Sequence, residues 1–380
     1  MIYLDNAATT RPCPEAAAAM EEAPRETWGN PSASHGPGRA ARKLLEESRA
    51  AVMKALNTAG GTLVFTSGGT EADNQALRGA ALHGRGRGRH IISSQAEHEA
   101  VLNTLRALGS QGWEVTLLKP DEFGRITPEA VGAALREDTV LVSLMLVNNE
   151  TGAVTDIPAV RELLRQRGSA ALLHTDAVQA FCKLPFSPAR LGADLISLSG
   201  HKIGGPKGVG ALWMREGLKL SPLLEGGGQE GGLRSGTEPM PAIAGFGAAA
   251  KAAAERGFDA AAAHCAHLRK TLAAALPRVL LIGRDTDVCA GHICCLSFPG
   301  ARAEVLQNWL DSQGVCVSRG SACARGRRSH VLTAMGLPGT VIDGALRVSF
   351  CPDTTEEEVL RFCALVTEAA DRYFPKWRLK

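Results

Sequence analysis

From residue 62 onward the chain repeats one pattern. Short apolar runs stand at 62–66, 90–93, 113–118, 139–147, 170–175, 193–198 and 208–214, and helical patterns fill most of the intervals, near 70–83, 98–110, 127–136 and 158–167. A short run without polar alternation reads as a strand covered on both faces. Strands of that kind alternating with helices predict an α/β fold, with a mostly parallel central sheet flanked by helices. No fixed-period repeat runs through the sequence.

The pattern changes near 215–240. Gly226-Gly227-Gly228-Gln229-Glu230-Gly231-Gly232 is a long glycine-rich break. Two alanine-rich helical stretches follow at about 239–256 and 259–276, then apolar runs at 278–282 and 292–298, a helix over 302–313, a run at 345–350 and a final helix at about 355–373. These predict a second, smaller α/β domain. Residues 1–14 read as an extended arm ending at prolines, and the arm is expected to dock on that second unit. The expected division is 15–250 for the large domain, and 1–14 with 251–380 for the small one.

Composition narrows the functional classes. A net charge of +3 over 380 residues is too small to imply a nucleic-acid or membrane partner. Aromatic residues make up only 4%, so the core must be built from Leu, Val, Ile and Ala. No run of eighteen apolar residues and no charged-then-apolar leader is present, which points to a cytoplasmic protein. The ten cysteines at 13, 182, 265, 289, 294, 295, 316, 323, 351 and 363 form no C-x-x-C pair. Zinc-ribbon and thioredoxin chemistry are thereby excluded, and most of the thiols read as small buried apolar groups. The basic stretch His83 to His90 has no interleaved aromatics and reads as a solvated connection. His264 and His267, three apart on a helix, lack further ligands nearby in the sequence. No metal is expected.

Several short stretches carry possible chemistry. Ser199-Gly200-His201-Lys202 places a lysine in a tight glycine turn after a buried strand. A lysine amine held there, its pKa lowered by burial, can form a Schiff base with an aldehyde; alone, the same residue is equally a loop lysine. Thr66-Ser67-Gly68-Gly69-Thr70-Glu71 is a strand, a glycine turn and a helix start. Its backbone N–H groups either bind a phosphate or simply cap the helix. Asp176 ends a strand, where it caps the following turn or faces a protonated ring nitrogen. Val147-Asn148-Asn149-Glu150 ends another strand, and Glu97-His98 begins a helix. Arg347 lies inside an apolar strand, and a buried guanidinium needs an anion, either an internal acid or a substrate carboxylate. Cys323 stands in the small polar loop Ser318 to Arg328, whose arginines favour a thiolate.

Taken together the stretches form one ordered set: Tyr3 to Thr10, Asn30-Pro31-Ser32, Thr66 to Glu71, Glu97-His98, Val147 to Glu150, Asp176 to Gln179, Ser199 to Lys202, Arg234 to Thr237 and Gly320 to Cys323. In that order and over nearly its whole length the chain resembles the cysteine desulfurases, the NifS/IscS-like members of the class-V aminotransferase family and of the fold-type I pyridoxal-phosphate enzymes. The resemblance implies that Lys202 bonds the aldehyde of pyridoxal 5'-phosphate. It implies that Gly69, Thr70, Ser199, Gly200 and His201 hold the phosphate, with Thr237 reaching it from the second subunit of a homodimer. Asp176 would pair with the ring nitrogen, Asn149 and Gln179 with the ring oxygen, and His98 would stack on the ring. Arg347 with Asn30 would hold the carboxylate of L-cysteine. Cys323 would take the substrate sulfur as a persulfide, leaving alanine, and pass it to an acceptor protein such as an iron–sulfur scaffold.

Two departures from the family pattern stand out. Arg319 occupies a place where family members often carry serine, and the stretch from Cys323 to Met335-Gly336-Leu337 is about two residues shorter than in housekeeping bacterial members. Both bear on the sulfur acceptor. The competing readings are a selenocysteine lyase or another class-V enzyme that needs Lys202 but not Cys323, and a non-catalytic sulfur-binding scaffold.

Overall fold

The computed structural model describes residues 1–283, 289–320 and 328–373. The chain opens with a two-residue strand β1 (Ile2–Tyr3) and two helices, α1 (Pro14–Glu26) and α2 (Gly36–Ala55). The alternating region then gives β2 (Thr62–Thr66), α3 (Gly69–Gly84), β3 (His90–Ser94), α4 (Glu99–Ser110), β4 (Glu114–Leu118), α5 (Pro128–Ala134), β5 (Thr139–Ser143), α6 (Ile157–Gln166), β6 (Leu172–Asp176), α7 (Pro188–Leu191), β7 (Leu195–Ser199) and β8 (Gly210–Met214). Strands β2 to β8 form one seven-stranded sheet in the order β2-β8-β7-β6-β5-β3-β4. Every pairing is parallel except those of β8, which runs antiparallel to both β2 and β7.

The unbroken apolar runs are explained by the two faces of this sheet. Alternate strand residues point opposite ways. Ile91, Leu141, Leu172, Leu195 and Leu212 share one core with Leu77 of α3 and with Val101 and Leu105 of α4. Their chain neighbours Ile92, Val142, Leu173, Ile196 and Ala211 share the other with Val52 of α2 and with Val160 and Leu164 of α6. The run expected over 139–147 is strand only to Ser143. Beyond it Leu144 and Leu146 still donate their N–H groups to His174 and Asp176 carbonyls, so the chain stays buried alongside β6.

Helix α8 (Met240–Arg256) closes the second face. Its Phe246 meets Phe65 and Phe181 edge-on, with centroids 6.3 Å apart in each case. Glycine permits its close approach to two neighbours: a Cβ at Gly245 would lie 2.6 Å from Met20, and one at Gly247 would lie 2.7 Å from Ser48. The open edge of β2 is blocked by a side chain. The Phe65 N–H donates to Glu230 Oε2 at 2.8 Å, and Glu230 is itself gripped by Arg49 through two bonds of 2.8 and 2.9 Å. A capped edge N–H cannot template another strand, and the same carboxylate fixes the glycine-rich break to the sheet.

The remaining elements are α9 (Phe258–Ala275), β9 (Leu280–Ile282), β10 (Ile293–Ser297), α10 (Ala303–Ser312), β11 (Val315–Cys316), α11 (His330–Ala334), α12 (Gly339–Asp343), β12 (Ala345–Ser349) and α13 (Glu356–Tyr373). Strands β9, β10 and β12 form an antiparallel sheet in the order β12-β10-β9. Its core joins Leu296 and Val348 to Leu268 and Leu272 of α9 and to Phe362 and Val366 of α13. The arm reaches both layers. β1 pairs in parallel with β11, Leu4 enters the second core, Ala7 enters the first, and Thr10 N–H donates to the His201 carbonyl at 2.9 Å.

Candidate active site

The carboxyl ends of β3, β5, β6 and β7 deliver their loops to one side of the large sheet, the usual place for a ligand in an open parallel sheet. A cavity of about 260 Å³ lies there. Ten of the residues singled out in the sequence line it: Gly69, Thr70, His98, Asn149, Asp176, Gln179, Ser199, His201, Lys202 and Arg347.

Lys202 comes off a single turn after β7. That turn closes when Gly205 N–H and Ile203 N–H return to the Gly200 carbonyl at 3.0 and 3.1 Å. Its Nζ donates to the carbonyls of Ala7 and Ala8 at 2.6 and 2.8 Å, so the arm positions the amine. Gly200 is buried and off the cavity wall, its Cα packed so that a Cβ would meet Val209 at 3.0 Å. His201 is held by Thr9 Oγ1 at 3.1 Å. Burial, with the nearby Lys202 charge, pushes its imidazole down to about 4.

Asp176 is the last residue of β6, and its Oδ1 accepts the Val178 N–H at 2.9 Å. Burial raises its pKa above the usual carboxylate range. His98 caps α4, accepting the Ala100 N–H on Nδ1 at 3.1 Å. Burial lowers its pKa, so the neutral ring carries its proton on Nε2. Gln179 donates to the Ala7 carbonyl at 2.9 Å and accepts from Lys183 at 3.2 Å. The first turn of α3 opens onto the cavity at Gly69 and Thr70. Glu71 holds that turn by accepting the Ser67 N–H at 2.8 Å and the Arg234 guanidinium at 2.9 Å.

Arg347 makes the internal ion pair and also lines the cavity. Its guanidinium is 2% exposed and lines the cavity. Nη2 donates to Asp5 at 2.9 Å and Nη1 to the Asn149 carbonyl at 2.8 Å, while its buried Nε has no hydrogen-bond partner. The internal ion pair therefore stands at the cavity wall.

Three expectations fall elsewhere. Asn30 is exposed and away from the cavity; its Oδ1 accepts the Ser32 N–H at 2.9 Å, so its carboxamide serves its own turn. Thr237 is exposed and also outside the cavity of its own chain. Cys323, with Arg325 and Arg327, lies outside the described residues. Arg328 is described, and both of its terminal bonds go to Asp343 at 2.7 Å, which neutralises a charge that the sequence left available. The paired histidines are engaged separately: His264 donates to the Thr354 carbonyl at 2.8 Å, and His267 faces Glu356 at 3.5 Å.

The cavity also has walls to which sequence reasoning gave no role of their own: Ala7, Ala8, Asp73, Met145, Val147 and Val178. Asp73 had a readable signal, since it stands one helical turn beyond Gly69 on the same face of α3. It is fully buried, hydrogen-bonded to Ser197, and raised well above the usual carboxylate range by burial and by Asp176. The two alanines act through backbone carbonyls, which residue type does not encode.

The class-V aminotransferase family model matches residues 2–362. The chain belongs to the class-V aminotransferases. Within that family it is 42% identical over 375 residues to a cysteine desulfurase of Cereibacter sphaeroides, covering 98% of this chain and 96% of that one. It is 39% identical over 376 residues to the cysteine desulfurase IscS of Methanosarcina thermophila, covering 98% and 92%. A solved NifS-like protein superposes with a TM-score of 0.91 at 37% identity, over 98% of this chain and 99% of that one. As a class-V aminotransferase the chain groups with the cysteine desulfurases, the branch that its sequence resembles. Among the described residues no helix is long and apolar enough to cross a membrane.

Proposed function

We propose that this chain is a pyridoxal-phosphate-dependent cysteine desulfurase that converts L-cysteine to L-alanine and keeps the sulfur as a persulfide on Cys323. The observation that carries the reading is the convergence of Lys202, Asp176, His98 and Arg347 on one cavity beside a helix N-terminus. The residues fit the cofactor. The helix terminus at Gly69 is a cradle, because any Cβ there would lie 2.9 Å from Val178. Asp176 is a buried acid at the cavity wall, where a cationic partner would offset the burial that raises its pKa. Lys202 would hold the aldehyde, Asp176 the ring nitrogen, Asn149 and Gln179 the ring oxygen. His98 would face the ring. Gly69, Thr70, Ser199, Gly200 and His201 would hold the phosphate, joined by Thr237 of a second copy in a homodimer.

Pyridoxal phosphate, when bound, supplies an electron sink conjugated to the substrate's α-carbon. The chain supplies the rest. Arg347 would bind the substrate carboxylate at the cavity wall, and the Lys202 amine, once the substrate's own amine has released it from the aldehyde, would take the α-proton. The Cys323 thiolate forms an S–S bond to the substrate sulfur, the substrate Cβ–S bond breaks with its electron pair passing to carbon, and a proton then adds at Cβ. Alanine leaves, and an acceptor protein such as an iron–sulfur scaffold reduces or attacks the persulfide. The domain division at residue 250, with the arm assigned to the small unit, and a cytoplasmic location complete the reading.

The test uses two variants of the reconstituted enzyme. Lys202→Ala should lose the cofactor's visible absorption band. Cys323→Ala should keep that band and its shift on adding L-cysteine, yet release almost no alanine or sulfide. Undiminished alanine production by Cys323→Ala would move the assignment to a lyase that does not use this thiol.

A further inference from the structure

Lys183 is a partly buried lysine that none of the chemistry above uses. The charges that act on its amine are the Lys202 ammonium and the thiols of Cys265, Cys351 and Cys182; no carboxylate is among them. Buried His292, just ahead of β10, adds a further titratable neighbour. Burial first, and then the Lys202 charge, push the Lys183 pKa down to about 7. An amine in such a place is costly unless a hydrogen bond offsets its loss of water. That bond goes to a neutral group: Nζ donates to Gln179 Oε1 at 3.2 Å.

The backbone is bent to make this contact. After β6 the chain winds into a helical turn, with Phe181 N–H returning to the Ala177 carbonyl at 2.8 Å and Leu184 N–H to the Ala180 carbonyl at 3.0 Å. Between Gln179 and Lys183, Cys182 takes a φ of +57°. That left-handed conformation is uncommon for a residue with a Cβ, and it persists only where the surrounding structure fixes it.

The other end of the Gln179 carboxamide faces the arm. Nε2 donates to the Ala7 carbonyl at 2.9 Å, and the same carbonyl accepts Lys202 Nζ at 2.6 Å. A carbonyl only accepts and an ammonium only donates. Both ends of the carboxamide therefore have set roles, the oxygen toward Lys183 and the NH2 toward Ala7. Gln179 and Ala7 both line the cavity, and Nε2 carries a second hydrogen. One line of hydrogen bonds thus runs from Lys183 through Gln179 and Ala7 to Lys202.

We propose that Lys183 is a positioning residue for the cofactor: its bond to Oε1 fixes the Gln179 carboxamide with the NH2 end at the cavity wall, as a donor for the ring oxygen. The inference rests on the reading of this cavity as a pyridoxal-phosphate site and of Gln179 as a ring-oxygen partner. Without Lys183 the carboxamide keeps only its bond to Ala7, a carbonyl already shared with Lys202. The amide can then turn its oxygen to the cavity, where it would set one acceptor against another. A donor at the ring oxygen draws charge from it and eases loss of the proton that the visible band reports. Losing the donor should therefore raise the pH midpoint of that band.

The test is a mutant cycle on the reconstituted enzyme, read by titrating the visible band with pH. Lys183→Met keeps the apolar stem and removes the donor. Its midpoint should rise by about half a unit or more, roughly threefold in proton affinity. In a Gln179→Ala background the same substitution should move the midpoint by less than about 0.2 unit, because the residue it acts through is gone. An equal shift in both backgrounds would overturn the proposal, since the lysine charge would then act on the cofactor directly. Removing a buried amine should leave the urea midpoint of the cofactor-free protein no lower than wild type. A lowered urea midpoint beside an unmoved band would make Lys183 a structural residue only and overturn its positioning role. A wild type that forms no visible band would remove the cofactor reading and this proposal together. A wild-type band whose midpoint Lys183→Met leaves in place overturns the positioning role alone.

Discussion

Asp5 offers a direct measure of what Arg347 does. Its carboxylate holds Arg347 Nη2 at 2.9 Å, so a substrate carboxylate arriving at the same guanidinium meets a negative charge already in place. Asp5→Asn keeps an oxygen that can accept the Nη2 bond and removes only the charge. Two unit charges about 5 Å apart at an effective dielectric of ~20 repel by about 3 kcal/mol. The Asp5 side chain is 19% exposed, and solvent screening brings the usable part to roughly 1–2 kcal/mol. At 1.4 kcal/mol per decade that is a KM for L-cysteine about 5- to 30-fold lower. The repulsion acts alike on bound and reacting substrate, so kcat should stay within about twofold. Steady-state alanine formation against L-cysteine concentration reads both constants. An unchanged KM would mean that the substrate carboxylate does not sit on Arg347; a raised KM would mean that Asp5 is needed as a charge to hold the guanidinium in place.

Two further outcomes are expected. If each site draws Thr237 from a second copy, mixing Lys202→Ala with Thr237→Ala protomers should restore part of the activity that each lacks, because one site per hybrid escapes both lesions; a fully active monomer in sedimentation contradicts this. His174, buried between the hydroxyls of Ser143 and Ser197 at 2.8 and 3.0 Å, is pushed by burial from 6.5 down to about 3. A lowered folded pKa means stability that is fully present above about pH 6.5 and is lost as pH falls toward 3, so between pH 7 and 5 wild type should lose about 2 kcal/mol at this site that His174→Gln does not lose. Urea denaturation at both pH values reads the difference, and an equal loss in both proteins would refute it.

The strands and long helices were legible because both faces of the sheet are apolar, and the second sheet was legible for the same reason. β1 and β11 were not, since two-residue strands carry no periodicity and are defined only by each other. Within the site, residues that act through side chains at strand ends were readable: Asp176, Lys202 and His98 all follow apolar runs. Those that act through the backbone were not, and the Ala7 and Ala8 carbonyls under Lys202 are the clearest case. Asn30 was read into the site from its motif alone; in its own chain it stands in an exposed turn, its Oδ1 accepting the Ser32 N–H. The pairing of Arg328 with Asp343 was not readable, because the two stand fifteen residues apart.

The arm has a consequence for how the protein is made. Ile2 and Tyr3 pair with Val315 and Cys316, and Asp5 bridges Ser349, so the start of the arm waits for partners more than three hundred residues downstream. At about 5–20 residues per second, synthesis leaves that segment unpaired for roughly 15–60 s. During that interval the large sheet can assemble around β7, with Ala7 and Thr10 held to Gln179 and His201 while the strand ahead of them is unpaired. The arm that runs under Lys202 is thereby completed late, when the far end of the chain folds back. A nascent chain with a finished sheet would still be an unfinished enzyme, unable to expose a reactive amine in its working position before the rest of the molecule is there to enclose it.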